Sequence, residues 1–324
     1  MKKGLVGVLI LALTCCMVGR NVQKNDVTVC VPDGAPALAL AKAMAKDKDN
    51  DGVTYKVVAG KTIQTYVTYN DLSKNADVCV LPVTAGAKLL GDGTKYQMLG
   101  VVTQGNLFLF STTEKVEYTA ENLSALKGKT VKIAQLNEVP GWTFKSILEK
   151  HGVAYQVLQD GIGVSTEKVN LSSSVGAIEV VAEPTVSKKL ANGGYLIGDL
   201  QRLYSGSENG GYPQAIVVAK KEFILENKAW IKNFVEQVRG GEEWLSTASA
   251  SVIYDTVYKH LDDRSMDRAF SVDSLSKTTI KRCGIAFEET KNCKIKVEEY
   301  LQGLVDIGFK GASQPSESFY WQNV

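Results

Sequence analysis

VTVCVPDGAPALALAKAM, residues Val27–Met44, is the stretch on which the fold turns. Its first five residues form a short apolar run rich in β-branched side chains, which favour a strand. The run breaks at Pro32-Asp33-Gly34 and resumes after Pro36 as an alanine- and leucine-rich pattern of helical character. Proline suits a first helical turn, where a missing N–H costs nothing. Strand, turn and helix in this order open a parallel α/β sheet, and the helix start lies beside the strand's carboxyl end, where such sheets bind ligands. No nucleophile, base or metal-ligand cluster stands there, so the stretch predicts a binding cleft and not an active site.

The same grammar repeats downstream. Val53–Ala59 alternates as a strand, and Gly60-Lys61-Thr62 leads a helix expected to run to about Leu72. Ala76–Leu81 is a third strand, turning through Pro82-Val83-Thr84 into a helix at Ala85–Leu90. Tyr96–Val102 and Leu107–Ser111 read as further strands, separated by a turn containing Asn106. Thr113–Leu126 is polar with helical spacing, and a second α/β block follows. Its strands are Val131–Gln135, Val153–Leu158 and Gly176–Ala182, and its helices are Thr143–His151 and the segment from Glu183-Pro184-Thr185 to Leu190. Gly210-Gly211-Tyr212-Pro213 precedes a last strand, Ala215–Ala219, after which the chain turns helical. Trp230, Phe234 and Val238 fall four apart, a core-facing stripe. The polar tail carries Phe319-Tyr320-Trp321, aromatics expected to strap it to the body.

With 324 residues, the chain is long enough for two domains with separate cores. Its formal charge of +2 is near balance and its basic residues are scattered, which gives no electrostatic footprint for nucleic acid. The two histidines, His151 and His260, are far apart. At the N-terminus, Lys2 and Lys3 precede the apolar run Leu5–Leu13, then Thr14-Cys15-Cys16. That is a secretory signal over residues 1–15, too short for the ~20 residues of a membrane span. Cysteine directly after the apolar core resembles a bacterial lipobox. Leu13, three places before Cys16, favours Cys16 over Cys15 as the lipid anchor, with 16–26 as a polar tether; two thiols ending an ordinary signal is the other reading. Cys30 and Cys79 sit in apolar strands and read as buried thiols. Cys283 and Cys293 flank a charged loop and read either as a disulfide or as two thiols.

Several motifs are decoys. Gly60-Lys61-Thr62 and Gly128-Lys129-Thr130 resemble the end of a P-loop, but Tyr55 and Leu123 stand where its first glycine belongs. Gly163–Glu167 lacks the closing glycine of a nucleophile elbow. Asp47–Asp51, DKDND, reads as a solvated turn before a calcium loop. No cofactor motif and no metal-site spacing occurs.

Taken in order, PDGAPALALA, ADVCVLPVTAGAKLL, LKGKTVKIAQLNEVPGWTFKSILEKHGV, AEPTVSKKL and FILENKAWIKNFVEQVRGGEEWL resemble an ABC-importer solute-binding lipoprotein of the nitrate, sulfonate and thiamine-precursor type. The resemblance implies a two-lobed periplasmic-binding-protein-like α/β fold, with two doubly wound sheets, a hinge and a helical C-terminal segment. Lobe I would be 26–112 plus 216–324, and lobe II 113–215. It also implies a monomer, lipid-anchored outside the bacterial cell membrane, that closes on one small molecule and delivers it to an ABC importer permease. The enzymes of pyrimidine synthesis share a related fold; the lipobox and the absence of histidine from the cleft turns speak against that reading.

Carried onto these positions, the cleft takes Asp33, Gly34, Ala35, Pro36, Lys61, Thr62, Pro82, Thr84 and Asn106 from lobe I. From lobe II it takes Asn137, Glu138, Gly141, Trp142, Glu183, Thr185 and Tyr212. Each is also readable as a cap or turn residue; Asp33 and Trp142 in particular could cap and pack their own helices. Three carboxylates against one lysine, with two rings, favour a nitrogen heterocycle such as a pyrimidine or thiamine precursor over a sulfonate or nitrate anion.

Overall fold

The computed structural model describes residues 26–46, 52–159, 163–207 and 210–322. The expected signal peptide, the expected lipidation site at Cys15 or Cys16, the expected tether up to residue 25 and the 47–51 acidic segment lie outside them. The strands are β1 Val27–Pro32, β2 Val53–Val58, β3 Val78–Pro82, β4 Tyr96–Gln104, β5 Leu107–Ser111, β6 Thr130–Lys132, β7 Tyr155–Val157, β8 Val169–Ser172, β9 Ile178–Ala182, β10 Tyr195–Asp199, β11 Pro213–Lys220 and β12 Ile285–Glu289. They form two six-stranded sheets, ordered β12-β4-β11-β3-β1-β2 and β10-β5-β9-β6-β8-β7.

The opening stretch folds as its pattern dictates. β1 is almost wholly buried and pairs in parallel with β2 and β3. Cys30 and Cys79 are register partners across β1 and β3, both buried free thiols. Gly34 ends the turn at φ +101°, a conformation that only glycine adopts without strain. The short helix Ala35–Ala39 then buries its small side chains on the sheet, and Ala41–Lys46 packs on the later helices Lys228–Arg239, Gly241–Thr247 and Ala250–Tyr258.

The second sheet begins earlier than the sequence boundary after residue 112. β5 pairs with β9 and β10, so Leu107–Ser111 belongs with the second half; the chain crosses over at Gly105-Asn106 and returns before Pro213. The exchange is dictated by backbone pairing with partners about seventy residues away, which local pattern does not reveal. Two expected helices are also shorter. Between Gly60 and Leu72 only Thr65–Thr68 is α-helical, because the Thr62, Thr65 and Thr68 hydroxyls bond to local carbonyls. Thr113–Leu126 keeps only a 3₁₀ turn at Leu123–Leu126, its start tied by Asn122 accepting from the Thr119 N–H.

The long helix Thr290–Asp306 joins the halves. It packs on helix Val139–Lys150 of the second half, where the Thr143 and Tyr300 hydroxyls are 2.8 Å apart. Tyr300 stacks on Tyr212 at 5.2 Å, and one hydrophobic core runs through both sheets there. The tail straps back as expected: Phe319 and Tyr320 are buried, and the Trp321 N–H donates to the Met98 carbonyl.

Candidate ligand site between the two sheets

The strand ends that face one another across the crossovers set the site. β1 delivers Asp33 and Gly34, and β9 delivers Glu183 at the start of helix Thr185–Ala191. Helix Lys277–Arg282, which precedes β12, reaches across from the first half. A side chain at Gly34 would put its Cβ 3.8 Å from Pro184 and 3.7 Å from Ala269, so the halves are in close approach here. The Thr279 hydroxyl donates to Ser187 Oγ at 3.0 Å, and Arg282 lies 3.8 Å from Glu183 Oε1.

Glu183 is the most enclosed charge at this junction, its side chain having no exposed surface. It accepts from the Ser187 hydroxyl at 2.8 Å and the Ser187 N–H at 3.2 Å. Burial pushes its carboxyl above the ordinary range, opposed by these hydrogen bonds and by Arg282. Its backbone is fixed from the crossover: the Glu183 N–H donates to the Asn106 carbonyl, and Asn106 Nδ2 donates back to the Glu183 carbonyl. Asn106 Oδ1 then accepts from Gln214 Nε2 at 2.6 Å, an order that fixes both amide orientations.

Asp33 has a different task. It accepts from the Gly34 N–H at 2.7 Å, the Ala269 N–H at 2.8 Å and the Tyr258 hydroxyl at 3.1 Å. It therefore ties the 267–271 loop to the first sheet. Burial raises its carboxyl too, against these bonds and the nearby Arg268.

The remaining expected residues divide. Ala35 and Thr84 are buried, and Pro36 and Pro82 half-buried, along the top of the first sheet. Lys61 is exposed, and the Thr62 hydroxyl bonds to Ala59. Asn137, Glu138 and Thr185 are exposed at their helix starts. Gly141 is buried against the preceding turn. The two rings do not line a gap. Tyr212 has 0% exposure between Tyr204 and Tyr300, and Trp142 stacks on Phe309 at 5.3 Å under Lys145. Both turn toward the apolar surface around helix Thr290–Asp306, which offers more burial than an open cleft. Nor do Cys283 and Cys293 bridge. Cys283 closes helix Lys277–Arg282 while Cys293 sits inside helix Thr290–Asp306, and each is a buried free thiol raised by burial, Cys293 to about 11.

Arg282, Ser187, Thr279 and Gln214 escaped the sequence reading. Among the described residues no group of three or more His, Cys, Asp or Glu is placed to hold a metal ion, and no helix is long and apolar enough to cross a membrane. A cavity of about 360 Å³ opens away from the junction, at the other end of the first sheet, by Asp77 and Lys220.

The two sheets, joined by paired crossovers and facing each other across these strand ends, define the periplasmic-binding-protein fold of ABC-importer solute-binding proteins. Solved structures with this fold align over nearly the whole chain. An ABC transporter protein from Parabacteroides distasonis is 18% identical, with a TM-score of 0.68, covering 93% of this chain and all of its own. The periplasmic aliphatic sulphonate binding protein SsuA from Escherichia coli is 14% identical, with a TM-score of 0.61 over 93% of this chain and 94% of its own. The nitrate-binding protein NrtA from Synechocystis PCC 6803 is 12% identical, with a TM-score of 0.56 over 90% and 83%. No protein-family model and no curated sequence matches.

Proposed function

We propose that this chain is an extracytoplasmic solute-binding lipoprotein, anchored through Cys16, that captures a small molecule between two lobes and delivers it to an ABC importer. The lobes are the two sheets with their helices, and the crossovers at Gly105-Asn106 and before Pro213 are the hinge. Closure then works by contacts that exist only when the halves meet, such as Thr279 with Ser187. The fold shared with binding proteins of transport systems supports this reading over an enzymatic one.

The favoured ligand is a nitrogen heterocycle carrying donor groups or positive charge, of the pyrimidine or thiamine-precursor kind. The observation that carries it is Glu183, a fully enclosed carboxylate at the junction of the halves. Tyr212 is buried and the half-buried Trp142 stacks on Phe309, so the reading rests on the carboxylate and not on ring stacking. A second reading, an anion binder, is favoured by Arg282 at the same junction and by the sulphonate and nitrate named for two of the similar structures. Thermal-shift titration of the mature protein with thiamine, a cationic heterocycle, and with cytosine, taurine and nitrate separates them. Stabilisation by a heterocycle supports the first reading. Stabilisation by taurine or nitrate alone replaces it with the second, and a native preparation that neither binds these nor carries a co-purified small molecule overturns the binding-protein reading.

A further inference from the structure

Glu183 is held in an unusual balance. Its two oxygens take bonds from Ser187, while Arg282, which lowers its carboxyl from across the junction, stands at 3.8 Å, beyond hydrogen-bond reach. The two side chains also differ in freedom: Glu183 is 0% exposed and Arg282 31% exposed. Glu183 is pinned through its backbone to Asn106 and through its carboxylate to Ser187, whereas Arg282 is the terminal residue of a six-residue helix. One partner is a fixed socket and the other a movable plug.

We infer that Arg282 is a built-in occupant of a cation subsite at Glu183, and that the ligand enters by replacing the guanidinium with a planar cation of its own, of amidinium or guanidinium type. This rests on the junction being the ligand site. A buried carboxylate left without a cation is costly, so Arg282 is released only to a ligand that brings a replacement charge. The exchange conserves the charge count, so its net cost is small. A neutral or anionic molecule gains Arg282 only by stripping Glu183 of its partner, and the same pair that holds the halves together thereby selects against it.

The test uses methylguanidinium chloride as the probe, against sodium chloride of equal ionic strength, on the mature protein and its Arg282→Ala, Arg282→Gln and Arg282→Ala/Glu183→Gln variants. Arg282→Ala melts below the wild type, and methylguanidinium restores it saturably, with an apparent affinity at least about tenfold tighter than for the wild type. Arg282→Gln, which keeps the length of the side chain, shows the same gain and serves if the alanine variant does not fold. Replacing Glu183 as well abolishes the response. Equal responses in wild type and variants, or recovery that survives Glu183→Gln, overturns the inference. Rescue of Arg282→Ala in a protein that binds no heterocycle supports the cation subsite and overturns the heterocycle reading instead.

Discussion

At the scale of single residues, burial decides what each charge can do. His260 sits beside the Tyr55 ring, 5.4 Å between centroids, with its carbonyl accepting from the Val57 N–H. Its Nε2 is buried without a hydrogen-bond partner, and burial, aided by Lys259, holds the imidazole down to about 4. The folded-state value lies below the unfolded one. The stability this ring confers is therefore complete above its unfolded value, near 6.5, and drains away as pH falls toward 4. Asp33 and Glu183 act in the opposite sense, because burial raises them and their protonation favours the folded chain. Replacing His260 with Phe should isolate the histidine. Urea unfolding followed from pH 7 to 4.5 should show the wild type losing about 1–2 kcal/mol more than the variant across that interval. Parallel curves for the two proteins would show that the ring takes up its proton as readily folded as unfolded.

At the scale of elements, close approach of backbone governs how the second half presents its helix. Gly141 lies in the first turn of helix Val139–Lys150, and a Cβ there would fall 1.9 Å from the Leu136 carbonyl oxygen. No rotamer relieves a clash with backbone. Gly141→Ala must lift the helix off its entry turn, and with it the Thr143 contact to Tyr300, at about 2–4 kcal/mol despite alanine's better helix propensity. Chemical denaturation checks the sign; a stabilised variant would mean that the turn relaxes freely. The glycine was legible as a turn residue, but the reason for it was not, since that lies in a tertiary distance. The same limit runs through the chain. β1, β3 and β11 were readable because interior strands of a sheet covered on both faces are near-continuous apolar runs. β8, with Asn170 and Ser172, and β12, with two glutamates, carry too little apolar pattern to announce themselves. In the site, Asp33 and Glu183 were found because they follow strands at turns. Arg282 was missed because it ends a polar helix in the C-terminal segment, and only the packing of that segment on the first sheet brings it to the junction.

At the scale of the whole molecule, the question is whether two sheets make two folding units. Their connection is not a bare hinge. Tyr204, Tyr212 and Tyr300 form a cluster of rings with centroids 5.2–5.8 Å apart, Tyr212 from the returning crossover and Tyr300 from a helix packed on both halves. Tyr300 is enclosed, and burial raises its phenol, so it remains a hydroxyl sharing a bond with Thr143. Because the hydrophobic core passes through this cluster into both sheets, the chain should unfold in one calorimetric transition, its calorimetric and van't Hoff enthalpies agreeing. Tyr300→Phe keeps the ring and removes one hydrogen bond, and should cost about 1 kcal/mol with the single transition intact. Tyr300→Ala removes the ring on which both halves rest, at about 3–5 kcal/mol, and should split the endotherm by releasing the second half from the first. A single, merely lowered transition in Tyr300→Ala would locate the coupling elsewhere, in the paired contacts of Glu183 with Arg282 and Ser187 with Thr279. The double variant Tyr300→Ala/Arg282→Ala would then be the one to separate the halves.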